Sequence, residues 1–222
     1  MNEKSQVQGY DVSGHSAAVI GCGGLGTNVA VHLAGAGVGK LWLCDYDTVQ
    51  TRNLNRQFFY TPADIDKPKC ELLAKRLSTF APEVEILPVN RKILSGEDLD
   101  FAREAELVIL AVDNVDARRI VASWCEKAGK PYVNGGVDGA YGTAYLCVPG
   151  KTPSLEEAGG LLPPRQKPRS QSPVVGVIGA LEAKLAVDFL LNDPASQGVL
   201  LCFDGMEIQS LKLKNGKGAD AT

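Results

Sequence analysis

Apolar and polar positions alternate along this chain in two rhythms, short unbroken apolar runs and longer stretches of helical period. Ala17 to Ile20 is a small apolar run that predicts a strand. Beyond a glycine-rich turn, Leu25, Val29, Leu33 and Ala34 recur at intervals of three and four, which places them on one helix face. Leu41 to Cys44 predicts a second strand. A second helix is predicted to begin at Asp66 or Lys67, with Pro68 near its first turn, and to run through Leu72, Leu73, Lys75, Leu77 and Phe80. Val84 to Val89 follows as a strand and Gly96 to Arg103 as a short, mostly polar helix. Leu107 to Val112 is continuously apolar, the pattern of a strand covered on both faces of a parallel sheet.

The remaining pattern is looser. Ala117 to Ala128 predicts a helix, and Pro131 to Val133 opens a strand with Asn134-Gly135-Gly136 as its turn. Ala140 to Val148 is expected to run antiparallel to the other strands. Residues 151–173, with five prolines and the basic triplet Arg165, Lys167 and Arg169, read as a long loop. Val177 to Leu191 predicts an amphipathic helix, Val199 to Phe203 and Ile208 to Leu213 two last strands, and residues 215–222 a frayed tail. The expected fold class is α/β, a Rossmann-like doubly wound, mostly parallel sheet with antiparallel C-terminal strands. At 222 residues this is read as one domain, with residues 1–16 as an N-terminal arm.

Composition narrows the setting. A formal net charge of -3 with acids and bases mixed gives no basic face for nucleic acid or membrane binding. The first sixteen residues lack the apolar core of a signal peptide, and the apolar stretch Val174 to Leu191 is interrupted by Glu182, Lys184 and Asp188. A soluble, cytoplasmic protein is expected. Six cysteines occur with no C-x-x-C pair, so neither zinc nor a disulfide framework is indicated, and most are expected in the core. Trp42 and Trp124 are expected there too, and neither His15 nor His32 has a nucleophile placed to pair with it.

The chemistry concentrates between Ala17 and Gln57. Gly21, Gly23 and Gly26 stand in G-x-G-x-x-G spacing between strand and helix, and the next strand ends in Asp45. Glycines at that spacing let backbone approach a phosphate at a helix N-terminus, and the later acid suits ribose hydroxyls. The spacing alone fits a nicotinamide or flavin unit. Asp45, Asp47, Arg52, Asn53, Asn55, Arg56 and Gln57 then crowd into thirteen residues, and two arginines near a phosphate loop point to a triphosphate. Asp113 and Asn114 close the Leu107 strand at the carboxyl edge, where open α/β sheets bind ligands, and Asp113 also suits the cap of a helix starting near Val115. Both roles can hold together.

The blocks GCGGLG, AGVGKLWLCDYDTV, NLNRQ, DKPK, AVDN and VVGVIGALEA, in this order over residues 17–213, resemble the ThiF, MoeB and HesA family, bacterial relatives of ubiquitin-activating enzymes. The resemblance implies an ATP-dependent adenylyltransferase that activates a carboxylate. Its substrate in the family is most often the C-terminal Gly-Gly of a ubiquitin-like sulfur carrier protein, and the enzyme is typically a homodimer. Carried over by position, Gly24 lies against the phosphates with the other loop glycines, and Asp45 binds the ribose. Asn53 and Arg56 hold the triphosphate and Lys69 reaches it. Asp113 holds magnesium beside Asn114. The other readings are adenylation of a small-molecule or tRNA-bound carboxylate, a nicotinamide-dependent oxidoreductase, and a nucleotide-binding relative without turnover.

Three departures from the family pattern shape the expectation. The position of a first zinc pair holds Pro153-Ser154-Leu155-Glu156-Glu157, and the tail after Leu213 has no cysteine, so no zinc is expected. Residues 148–201 contain no cysteine for a thioester or persulfide. Residues 1–20 contain no arginine to donate to a neighbouring subunit's ATP.

Overall fold

The computed structural model describes residues 9–159 and 170–214. Most of the N-terminal arm, the basic triplet of the long loop and the tail after Lys214 lie outside the described residues.

Eight strands form one sheet. They are β1 (Ser16–Ile20), β2 (Lys40–Cys44), β3 (Glu85–Val89), β4 (Leu107–Leu110), β5 (Tyr132–Asp138), β6 (Tyr141–Cys147), β7 (Val199–Phe203) and β8 (Ile208–Lys212). Their spatial order is β3-β2-β1-β4-β5-β6-β7-β8. The pairings from β3 to β5 are parallel and those from β5 to β8 antiparallel. The helices are α1 (Gly24–Ala36), α2 (Lys69–Phe80), α3 (Val115–Ala128) and α4 (Ser172–Leu190). The chain winds outward from β1 through β2 to β3, then returns to place β4 on the other side of β1. The crevice between the ends of β1 and β4 is therefore the topological switch point.

The period-two alternation of side chains divides the core between the two sheet faces. Ala17, Val19, Leu107 and Ile109 pack with residues of α1, α2 and α4. Ala18, Ile20, Val108 and Leu110 pack with Trp42 and with α3 residues that include Trp124. At the crossing of α1 and α4, a Cβ on Gly179 would stand 2.5 Å from that of Asn28, so only a glycine lets the helices come this close. Pro88 is tolerated in β3 because that strand is the sheet edge.

Several boundaries differ from the sequence pattern. Asn134-Gly135-Gly136 is not a turn but the middle of β5, because β6 supplies a second ladder as far as Asp138–Tyr141. The turn is Gly139-Ala140, with Gly139 at φ 63°, the positive φ that a two-residue hairpin needs there. α4 starts at Ser172, five residues before Val177, because Pro173 sits in its first turn, where its missing N–H costs no hydrogen bond. Pro68 precedes α2 as its N-cap, after Asp66 takes a left-handed φ of 68°. β4 stops at Leu110, short of Val112, and α3 starts at Val115 rather than Ala117. Gly96–Arg103 is a 3₁₀ segment kinked at Leu99.

Candidate nucleotide site

The glycine loop closes on itself and on β4. A Cβ on Gly26 would lie 1.8 Å from the Gly21 carbonyl oxygen, and one on Gly21 would lie 2.5 Å from that of Ala111. Gly21 also has φ 104°, a conformation open to glycine. These two glycines are packing requirements of the fold. Gly23 differs: the nearest atom to a Cβ there is Gln57 Nε2 at 3.6 Å, so its face is open. Gly23 caps α1 without a side-chain hydrogen bond, and the first turn carries no acid. The amides at that helix end lack intrahelical acceptors and face the crevice with the positive end of the helix dipole, as an anion site requires.

Asp45 fastens the end of β2 to this loop. Its Oδ2 accepts from the Cys22 N–H at 2.7 Å and its Oδ1 from the Asp47 N–H at 2.8 Å. Burial pushes the Asp45 carboxyl up from the usual range, while those two hydrogen bonds and Lys69 pull it down. Lys69 is 5% exposed, and its Nζ lies 3.1 Å from Asp47 Oδ2. A lysine this buried is held by that ion pair and by its position at the start of α2.

Arg56 lies along the other flank. Its Cγ and Cδ would be 3.5 and 3.6 Å from a Cβ on Gly24, and its Nη1 donates to the Asn55 side chain at 2.9 Å and the Arg52 carbonyl at 3.2 Å. Asn53 is buried, and its Oδ1 accepts from the Gln50 N–H at 3.0 Å, which fixes the 3₁₀ turn Thr51–Asn53; the Arg56 N–H donates to the Asn53 carbonyl at 3.2 Å. Gln57 is buried against the loop with Oε1 unpartnered among the described residues. It was read in the polar cluster, but nothing in its spacing marked it as a wall of the site.

On the β4 side, Asn114 rather than Asp113 caps α3, its Oδ1 accepting from the Ala117 N–H at 2.7 Å. The Asp113 carboxylate is exposed and accepts no hydrogen bond from any described residue. It lies near the acids that follow β2: Asp47 first, then burial, Asp113 and Asp45 push the Tyr46 hydroxyl up. The structure thus gathers the loop glycines, Asp45, Arg56 and Lys69 around one crevice, with Asp113 across it.

Cys22, Cys44 and Cys70 adjoin the site in sequence, but their thiols are buried. Five of the cysteines are buried and Cys202 is half-buried, and burial pushes Cys44 and Cys147 up to about 12. His15 pairs with Glu106 at 2.9 Å and is remote from the loop. No described helix is long and apolar enough to cross a membrane.

A phosphate-ready helix N-terminus at the switch point of a doubly wound sheet defines a nucleotide-binding α/β protein. The chain belongs to the ThiF family, whose model matches residues 7–220. It is 34% identical over 210 residues to the sulfur carrier protein ThiS adenylyltransferase of Escherichia coli, covering 90% of this chain and 82% of that protein. It is 30% identical over 235 residues to the molybdopterin-synthase adenylyltransferase of Salmonella typhimurium, covering 96% and 90% respectively. Among solved structures, E. coli MccB with ATP superposes with a TM-score of 0.80 at 26% identity, over 93% of this chain and 65% of that one. MccB also superposes in a complex with AMPCPP and MccA, at a TM-score of 0.79 and 27% identity, over 91% of this chain and 65% of that one.

Proposed function

We propose that this protein is an ATP-dependent adenylyltransferase that activates the C-terminal glycine carboxylate of a ubiquitin-like sulfur carrier protein, working as a homodimer in the cytoplasm. The observation that carries the reading is the open N-terminus of α1, flanked by Arg56 and Lys69, in a member of the ThiF family. The named activities of its E. coli and Salmonella relatives supply the substrate class.

In this reaction a carrier carboxylate oxygen attacks the α-phosphorus of ATP. The bond from that phosphorus to the bridging oxygen breaks, and pyrophosphate departs with the electron pair. The carboxylate is already ionised near neutral pH, so no general base is needed. The work left to the protein is alignment and neutralisation of charge. The α1 amides, Arg56 and Lys69 meet the phosphates, Asp45 meets the ribose, and Gln57 borders the loop. The exposed Asp113 carboxylate, with no hydrogen bond to a described residue, is a donor that fits magnesium, which takes one or two carboxylates and draws its other ligands from phosphates and water. Asp113 would hold it. Bound there, magnesium would neutralise phosphate oxygens.

The test is exchange of labelled pyrophosphate into ATP, with magnesium, by the purified protein and candidate carriers ending in Gly-Gly. Exchange that depends on the terminal glycine is expected. The MccB structures that contain MccA favour a second reading, a peptide carboxylate as the acceptor, and short peptides form the second arm. ATP binding without exchange in either arm would overturn the adenylation reading.

A further inference from the structure

The parallel ladder between β4 and β5 ends at the Leu110–Asn134 pair. Beyond it the chains separate, β4 into the Asp113 loop and β5 into its hairpin with β6. Arg118, from the first turns of α3, occupies the gap. Its Nη2 donates to the Val112 carbonyl at 3.0 Å and to the Gly135 carbonyl at 3.3 Å, so one nitrogen ties the two strand ends together.

Behind it stands Glu182 of α4, fully buried. A Cβ on Gly135 would lie 2.2 to 2.5 Å from the Glu182 carboxyl atoms, so glycine is needed at that place for the acid to reach the strand. The Glu182 carboxyl oxygens, Arg118 Nε and Asn134 Oδ1 have no hydrogen-bond partner among the described residues. Buried polar groups are costly when unpaired, and a cluster of them is retained where it sets a geometry. Burial pushes the Arg118 guanidinium down, and Glu182, ahead of Asp113, draws it back up. Nothing in the adenylation chemistry uses these groups directly.

We propose that Arg118 is a positioning residue for Asp113, clamping the Val112 carbonyl on one side of that aspartate while the Asn114 cap clamps the other, with Glu182 as its support from α4. The inference rests on the reading of Asp113 as the magnesium ligand. Asp113 stands alone between two immobilised neighbours, so its carboxylate is presented to the crevice without any hydrogen bond of its own to a described residue. Groups that orient a metal ligand without touching the metal typically change its affinity about 10- to 100-fold when removed.

The experiment measures Mn2+ binding to the complex of the protein with a non-hydrolysable ATP analogue, by electron paramagnetic resonance, beside affinity for the analogue in EDTA. The variants are Arg118→Met, Arg118→Lys and Asp113→Ala. Arg118→Met is expected to weaken Mn2+ about 10-fold or more while analogue affinity in EDTA stays within about 2-fold, with Arg118→Lys intermediate. Should the Met variant not fold, the Lys variant carries the test. Unchanged Mn2+ affinity, or an equal loss of analogue affinity in EDTA, in the folded Arg118 variants would reduce the residue to a structural tie and overturn the proposal. Wild-type Mn2+ affinity in Asp113→Ala would instead overturn the role given to Asp113, and the proposal with it.

Discussion

The Asp45 carboxylate accepts a 2.7 Å hydrogen bond from the backbone N–H of Cys22, so the residue read as a ribose acid is also the tie between β2 and the glycine loop. Its other oxygen holds the Asp47 N–H, and Asp47 holds Lys69. The side chain proposed to meet the ribose therefore also holds the loop in place.

Asp45→Ala is expected to destabilise the fold as well as weaken nucleotide binding. It strands the N–H of the buried Cys22, a loss of about 1–3 kcal/mol. Chemical denaturation reads the first effect and calorimetric titration with ATP the second. A variant of wild-type stability would show that the Cys22 bond carries no weight.

The glycines separate by role. Gly26→Ala puts a methyl into the Gly21 carbonyl and should cost more than about 3 kcal/mol or prevent folding. Gly23→Ala meets only ordinary contact and should leave the melting temperature nearly unchanged while weakening ATP, because the methyl enters the open face. Comparing the two melting temperatures checks the assignment, and equal losses would refute it.

Arg56→Ala and Lys69→Ala test the anion site. In the proposed reaction each supplies one cation to the departing pyrophosphate, so each should lower exchange about 100- to 1,000-fold, as loss of one transition-state contact does. Lys69→Ala also leaves Asp47 unpaired, but Asp47 is half exposed, so stability should fall little. Exchange within threefold of wild type in both variants would remove them from the site.

Acid sensitivity should arise in part at Asp64. The Arg76 side chain bonds it at 2.6 Å and holds its carboxyl at about 2, below the usual 3.8, helped by Thr61. A carboxyl depressed in the folded state stabilises above its unfolded value and loses that contribution as pH falls from about 4 towards 2. With Arg76 a third exposed, the contribution is about 1–2 kcal/mol after solvent screening. Asp64→Asn should flatten the stability curve in that window, seen as melting temperature against pH.

What the sequence made legible was local. G-x-G-x-x-G, the acid closing β2 and the apolar run of β4 each state their role within a few residues, and the parallel half of the sheet follows from them. Asn134-Gly135-Gly136 looked like a turn because two adjacent glycines usually mark one. They lie in a strand because β6 pairs with them, and position 135 is glycine because Glu182, from a helix far along the chain, presses against its backbone. Glu182 itself read as a polar break in an apolar stretch. Its burial depends on Arg118 and Gly135, partners that no periodicity within α4 can name. By residue type Asp113 suits the cap of α3, and only the hydrogen bond from the Ala117 N–H gives that place to Asn114 instead.

α4 has a consequence for the order of events at synthesis. Val175 reaches the glycine loop, where a Cβ on Gly24 would stand 2.9 Å away, Gly179 abuts α1 at Asn28, and Glu182 supports the far side of the Asp113 loop. Those contacts come from residues that leave the ribosome about 150 residues after the glycine loop and about 65 after β4. The crevice is thus opened by β1 and the glycine loop and completed by α4, far downstream of them. A nascent chain cannot present the finished site until α4 has docked.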